Sequence, residues 1–227
     1  MSIASRPLRL WSLVVCFFAA LSASSAHAQA TSGNPALEKQ LSRIDLGIGA
    51  MGTITKDVQG TNYLNADIKQ EASKTVGALI TIRYTVSPYL GGEFNYSYAR
   101  FTQHFRDSAS GQDLYLIGGI QANASEYSFG YVAHPPHAIL GAKPFLSAGL
   151  GTTAFRPTPG GGQSLFSRAR MTYYYSAGLE KNLNNHFGLR ASFRQTFYKA
   201  PDFGVNYLEL QKRTWTVEPT VGFVIHF

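Results

Sequence analysis

Seven residues of this chain could hold charge chemistry away from solvent: Arg83, Glu93, Glu126, Glu180, Arg190, Arg194 and Glu218. Each stands in a stretch where apolar residues recur at every second position, and each falls on the polar side of that alternation. Guanidinium and carboxylate groups enclosed on one face satisfy each other. Losing one partner then leaves a buried charge unpaired, at a cost of roughly 3 to 5 kcal/mol. Counting back from the connection between Tyr198 and Thr214 sets Arg194 opposite Glu218. The other candidates are weaker. His104, Asp107 and Ser108 offer a base, an acid and a hydroxyl in one connection, but no motif fixes their geometry for nucleophilic chemistry. His134 and His137 flank Pro135-Pro136, and no further ligands stand near to complete a metal site, so a plain turn is expected. His226, between Ile225 and Phe227, reads as a lumen or rim residue. PTPGGG at 157–162 lacks the strand and helix context of a phosphate loop and reads as a mobile loop. No catalytic residue, no metal and no cofactor is expected.

The elements that must position the charges are strands. Alternation with period two recurs about Ile44–Met51, Thr75–Val86, Leu90–Ala99, Glu126–Ala133, Leu146–Gly151, Thr172–Glu180, Phe187–Phe197 and Thr214–Phe227. Between them the connections run long, short, long, short, long, short, long: 55–74, then Ser87-Pro88-Tyr89, 102–123, the HPPHAILGA region from His134, 156–171, NLNNH at 182–186, and 199–213. DLYLIGGI at 113–120 could extend one hairpin past the others. A soluble meander has no reason to sort its loops by end, whereas a membrane barrel has short turns on one side and long loops on the other.

Composition supports an apolar medium. Charged residues are 15 %, against roughly 25 % in ordinary soluble domains. The polar side of the strands is mainly Gly, Ser and Thr, a poor solvent surface and a good narrow lumen. Tyr98, Tyr127, Tyr173, Phe197 and Trp215 fall near the long-loop ends of their strands, and Tyr84, Phe187 and Phe227 near the short-turn ends, as two interfacial girdles would. Residues 1–30 read as an export signal: Arg6 and Arg9, then the apolar run Leu10–Leu21, then Ala26-His27-Ala28, with cleavage after Ala28 or Ala30. Cys16, the one cysteine, lies within it. Residues 31–42 are expected to form a short periplasmic segment, and 43–227 an all-β, eight-stranded, antiparallel up-and-down transmembrane β-barrel. The formal charge of +7 carries no nucleic-acid meaning, because the basic residues are scattered rather than gathered on one element.

The chain resembles the small bacterial outer-membrane β-barrels of the OmpA, OmpX and OmpW-like group, in strand and loop order over nearly all of residues 43–227 and most specifically at the end. Thr220, Gly222, Ile225 and Phe227 stand at the spacing polar-x-Gly-x-x-apolar-x-aromatic. The resemblance implies that the barrel assembly machinery reads this strand. Outer-membrane lipid is the expected surround of the barrel, and the four long external loops are where a surface ligand, its kind unknown, would bind. Pro219 departs from a regular strand and predicts a bulge or a local gap. With so narrow a bore, the seven charges are expected to form a structural network rather than a gated ion path. The role expected is structural or surface-interacting. A narrow channel for small or apolar solutes is the alternative, and a lipid-modifying enzyme using His104 ranks below both. One measurement separates an outward from an inward apolar face: gel mobility in detergent. The folded chain is expected to migrate differently unheated and heated, and to aggregate in plain buffer; a chain soluble in buffer alone has its apolar face inside.

Overall fold

A computed structural model describes residues 35–62, 65–108, 110–113, 119–205 and 208–227. The expected export signal lies outside them. The described residues before Arg43 are the helix α1 (Pro35–Leu41) and Ser42. Proline suits a first helical turn, where its missing N–H costs nothing, and Ser42 closes the other end by donating its N–H to the Glu38 carbonyl at 2.9 Å.

The second unit, from Arg43, is a closed barrel. Eight staves form its wall: β1 (Ile44–Thr55), β4 (Thr75–Ser87), β5 (Leu90–Asp107), β6 (Ile120–Ala133), β7 (Lys143–Pro157), β8 (Arg168–Asn182), β9 (Phe187–Lys199) and β10 (Arg213–His226). Each is antiparallel to its neighbour, and β1 meets β10 from Asp45–His226 to Thr55–Thr216, so the wall has no free edge. Two shorter strands, β2 (Val58–Thr61) and β3 (Asp67–Ala72), lie in the first long connection. β3 pairs with the upper part of β5, Gln103 to Asp107. The loop read at 55–74 is thus a hairpin that raises the wall on one side. β5 and β6 also run further than their alternation suggested, because pairing continues to Gln103–Ile120 after the outward residues turn polar.

Burial follows the alternation. Along β10 Thr214, Thr216, Glu218 and Thr220 are buried, while Val221 and Phe223 are 66 % and 61 % exposed. Tyr131 and Val76, each 74 % exposed, and Phe129 at 66 % show the same outward apolar face on other staves. Without lipid around it such a surface has no stable partner, and the apolar side therefore points out.

The short turns carry their own signals. Leu140 and Gly141 take positive φ between Ile139 and Ala142, the two-residue hairpin geometry for which Gly is suited. Asn184 accepts from the His186 and Phe187 N–H groups at 2.9 and 2.7 Å, which tightens the β8–β9 turn.

At the seam, Gly49 faces Gly222. A Cβ on Gly222 would come within 2.2 Å of the Ile48 carbonyl oxygen, so the two strands cross too closely for any side chain. Pro219 interrupts the seam as a gap and not a bulge: pairing stops after Met51–Thr220 and resumes at Ile54–Val217 with its register unchanged. On the other side of β10, Pro219 still faces Phe193. Its missing N–H is therefore the one that would have bonded β1. Replacing Gly222 with Val is expected to abolish the compact, heat-sensitive gel form, since the clash is with backbone; unchanged mobility would show that the seam tolerates a wider spacing.

Candidate functional site: the charged lumen

The inward residues of the eight staves build a stack of side chains with the charges in its middle. In the lower tier, toward the short turns, Arg83 Nη2 meets Glu93 Oε2 at 3.1 Å and Nη1 meets Glu180 Oε1 at 2.6 Å. Arg190 Nε lies 2.9 Å from the same Glu180 oxygen. The ring of Phe145 underlies both guanidiniums, 4.8 Å from Arg83 and 5.4 Å from Arg190, which offers them a π face where water is scarce. In the upper tier Arg194 pairs with Glu126, with Glu218 at 2.8 Å and with Ser128 at 3.0 Å. Arg194 stands directly across from Glu218 in the β9–β10 ladder. Arg83 and Arg194 are only 1 % and 2 % exposed. All seven charges singled out by the alternation thus face one lumen.

Tyr174 joins the tiers. Its hydroxyl donates to Glu93 Oε1 at 3.1 Å and accepts from Asn95 at 3.0 Å, while its ring lies under the Arg194 guanidinium at 4.4 Å. Space for the ring comes from the two adjacent staves, β7 and β6: a Cβ on Gly130 would sit 2.3 Å from the Tyr174 hydroxyl, and one on Gly149, the ladder partner of Tyr174, would sit 2.7 Å from its ring. Thr81 donates to Asn95 at 2.7 Å and carries the network to β4. Sequence reasoning missed this link. The available signal was an aromatic residue between Thr172 and Ser176 on the otherwise small, polar side of its strand.

Both mouths differ from the middle. Above the upper tier, toward the long loops, Phe101, Phe155 and Tyr198 pack ring to ring, with centroids 5.9 and 5.4 Å apart. Over them sit Val58 and Ile68 from the β2–β3 hairpin and Phe203, Leu208 and Leu210 from the last long connection, in one buried apolar cluster. Asp202 ties that connection inward by accepting from Arg170 at 2.7 Å. Gln70 pairs with Gln103 and donates to the Pro201 carbonyl at 3.0 Å. Between the cap and the charges a cavity of about 30 Å³ is lined by Thr53, Ser97, Glu126, Thr196 and Glu218 among others. That is room on the order of a single water. At the short-turn end a vestibule of about 510 Å³ is lined in part by Asp45, Tyr89, His134, Lys143, Glu180 and His226.

The histidines fall elsewhere than a catalytic site requires. His104 and Asp107 lie on β5 itself and not in a flexible loop, because β3 pairs with that part of the strand. His104 Nδ1 is 3.8 Å from Asp113, while the Ser108 N–H is bound to the Asp67 carbonyl. Lys69 beside Glu71 holds that carboxyl below its ordinary range. His134 sits where the turn enters the vestibule, its Nε2 3.2 Å from Arg83 Nη1. Burial, aided by Arg83, lowers its basicity, so at neutral pH the ring is uncharged and accepts from the arginine. His226 Nδ1 meets Asp45 at 2.6 Å on the rim. The PTPGGG segment is held against β6: Gly161 O accepts from the Gln121 N–H at 2.8 Å, and Thr158 hydrogen-bonds the Gln121 side chain at 2.9 Å. Among the described residues no group of His, Cys, Asp and Glu could hold a metal ion.

Replacing Arg194 with Ala strands two carboxylates in a dry bore. The expected loss is roughly 3 to 5 kcal/mol of unfolding free energy in urea titrations of the refolded barrel, with Glu218→Gln smaller because a neutral acceptor remains. Equal stability of R194A and the parent would show that the tier contributes nothing.

Comparison with known proteins agrees with the geometry. The solved structure of the outer membrane protein OprG from Pseudomonas aeruginosa has a TM-score of 0.57 at 14 % identity, covering 81 % of this chain and 95 % of that one. Neisserial surface protein A gives 0.49 at 16 % identity, covering 81 % and 97 %. Ail of Yersinia pestis, in complex with sucrose octasulfate, gives 0.44 at 20 % identity, also covering 81 % and 97 %. No curated protein matches the chain. The family model for the outer membrane protein beta-barrel domain matches residues 16–223. The chain belongs to that family, and is an integral eight-stranded barrel of the bacterial outer membrane.

Proposed function

We propose that this barrel acts through its long-loop end, displayed at the cell surface, and that its bore is closed to solutes. The observation that carries the reading is the stacking of two obstructions. A charged network in which each of Arg83, Arg190 and Arg194 meets a carboxylate occupies the middle of the lumen, and an apolar cap of Phe101, Phe105, Phe203 and Leu208 fills the mouth above it. A permeation path wants a continuous wet surface, and here the ion would have to displace either arginines from their carboxylates or rings from each other. The material spent on the long-loop end has the opposite character. It extends β5 to 18 residues and adds the β2–β3 hairpin to it. The outside of that wall carries Lys69, Glu71, Arg106 and Asp113 in linked ion pairs, with Arg106 Nη1 3.3 Å from Glu71 and Nε 3.1 Å from Asp113. A rigid scaffold holding polar loops is the usual arrangement for recognition.

The seven lumen charges have a structural role in this reading, as a buried strut. The terminal strand, with Thr220, Gly222, Ile225 and Phe227, carries the assembly signal. Barrel-mediated catalysis is not part of the proposal, since His104 lies on a paired strand with its Nδ1 3.8 Å from the Asp113 carboxylate. The vestibule of about 510 Å³ favours the one competing reading, a narrow channel entered from the short-turn side. Planar-bilayer recording of the purified protein decides between them. No unitary conductance is expected from the parent or from Glu218→Gln, and protease added to intact cells is expected to cut in the long loops; steady single-channel steps abolished by E218Q would establish the channel instead.

A further inference from the structure

The charges in the middle of the lumen do not balance. Arg83, Arg190 and Arg194 stand against Glu93, Glu126, Glu180 and Glu218, three guanidiniums to four carboxylates. The lower tier is even, because two arginines share two glutamates there and the His134 ring beyond them is uncharged. The surplus lies in the upper tier. Among the described residues Arg194 is the one cation that meets Glu126 and Glu218, so one negative charge in a dry bore has no counterion. A buried carboxylate in that position is costly unless something neutralises it.

The cavity of about 30 Å³ lies beside these two carboxylates. Several hydroxyls around it are engaged with each other or with backbone. Thr53 donates to the Thr75 carbonyl at 3.2 Å, Thr153 and Thr172 meet at 2.6 Å, and Thr216 meets Thr55 and Tyr198, each at 2.8 Å. Ser97 is different. It lines the cavity, is only 6 % exposed and stands across from Glu126 in the β5–β6 ladder, yet among the described residues its hydroxyl has no hydrogen-bond partner. Arg194 engages Glu126 through Oε1 and Glu218 through Oε2. Among the described residues Glu126 Oε2 has no hydrogen bond, and Glu218 Oε1 has only the Thr196 hydroxyl at 3.4 Å. Three oxygens are thus left under-used by residues that line one small space.

The occupant has to fill the space and cancel one charge. A water fills the space and leaves the charge; a proton on one carboxylate cancels the charge and leaves the space. A divalent ion reverses the imbalance, and magnesium gives up its waters reluctantly where there is no room for them. Among the described residues there is also no cluster of three His, Cys, Asp or Glu ligands of the kind a divalent metal wants. A sodium ion carries a single charge, is no larger than a water molecule and takes hard oxygen ligands. We propose that the upper tier holds one monovalent cation of sodium's size, bound by Ser97 Oγ and by the free oxygens of Glu126 and Glu218. This ion is resident and not in transit, with the Arg194 and Tyr174 stack on one side and the rings of Phe101, Phe155 and Tyr198 on the other. It is independent of whatever the long loops meet.

The test refolds the chain in detergent with sodium, caesium or choline chloride at one ionic strength, so that the site fills as the wall closes, and reads the urea midpoint of unfolding by gel mobility. Sodium is expected to raise the midpoint saturably above its value in choline, whose ion is too large to enter, and caesium to have little effect. Glu126→Gln cancels the surplus charge and is expected to abolish the response to sodium. Ser97→Ala removes one ligand and breaks no hydrogen bond, and is expected to raise the half-saturating sodium concentration about tenfold. Should Glu126→Gln not refold, S97A carries the test alone. Equal midpoints in sodium and choline overturn the proposal. A midpoint that moves with pH and not with sodium also overturns it, and assigns the tier a proton and a water. A half-saturating concentration unchanged in S97A overturns this site, since the ion then binds elsewhere.

Discussion

Everything in this molecule depends on pairing backbone groups where no water can reach them. In hydrocarbon an unbonded N–H or C=O costs several kcal/mol, so a sheet there must close on itself. Closure brings β10 back against β1 and fixes how many staves surround the axis. With eight of them the bore is only about as wide as the side chains that point into it. The choice of lumen residues follows from that width. Small residues let the wall curve and let Tyr174 lie across Gly130 and Gly149, and the few long side chains must interlock.

Charges in such a bore lose their water and must find each other. Arg83 reaches two glutamates on different staves, and so does Arg194, so each guanidinium ties together parts of the wall that are not neighbours. Tyr174 serves as both hydrogen-bond partner below and ring surface above, which makes the two tiers one body. Hydrophobic residues of the same volume could fill the space as stably. What the polar strut adds is a definite set of contacts between distant staves, each satisfied only in the closed arrangement. The apolar cap uses ring packing to the same end at the mouth, where Phe203 and Leu208 have no strand of their own to hold them.

The barrel was readable in the sequence because its rule is strictly local. Period-two alternation, the sorting of connections by length and the aromatic positions depend only on residues near each other in the chain. The facing of Arg194 and Glu218 was readable for the same reason, since one hairpin sets it. Contacts across the lumen were not. Arg83 with Glu180 and Arg194 with Glu126 join staves separated by many residues, and their pairing depends on strand tilt, which alternation does not encode. The β2–β3 hairpin escaped because Val58–Thr61 and Asp67–Ala72 are short and polar, and they become strands only by leaning on β5. His104 was misplaced for the same reason, as a loop residue where the structure has a paired strand.

The gap at Pro219 has a mechanical consequence. The ladders of β9 with β8 and with β10 are continuous, whereas the seam lacks the pairings of Gly52 and Thr53 with Pro219 and Glu218. A cylinder stitched evenly around its circumference yields anywhere; one with a dropped stitch yields there first. Glu218 lies beside that weak point and is held from the far side by Arg194. The hinge line of the wall and the anchor of the lumen strut thus share one strand, so that a stave entering or leaving the sheet at the seam must slacken the interior as it moves.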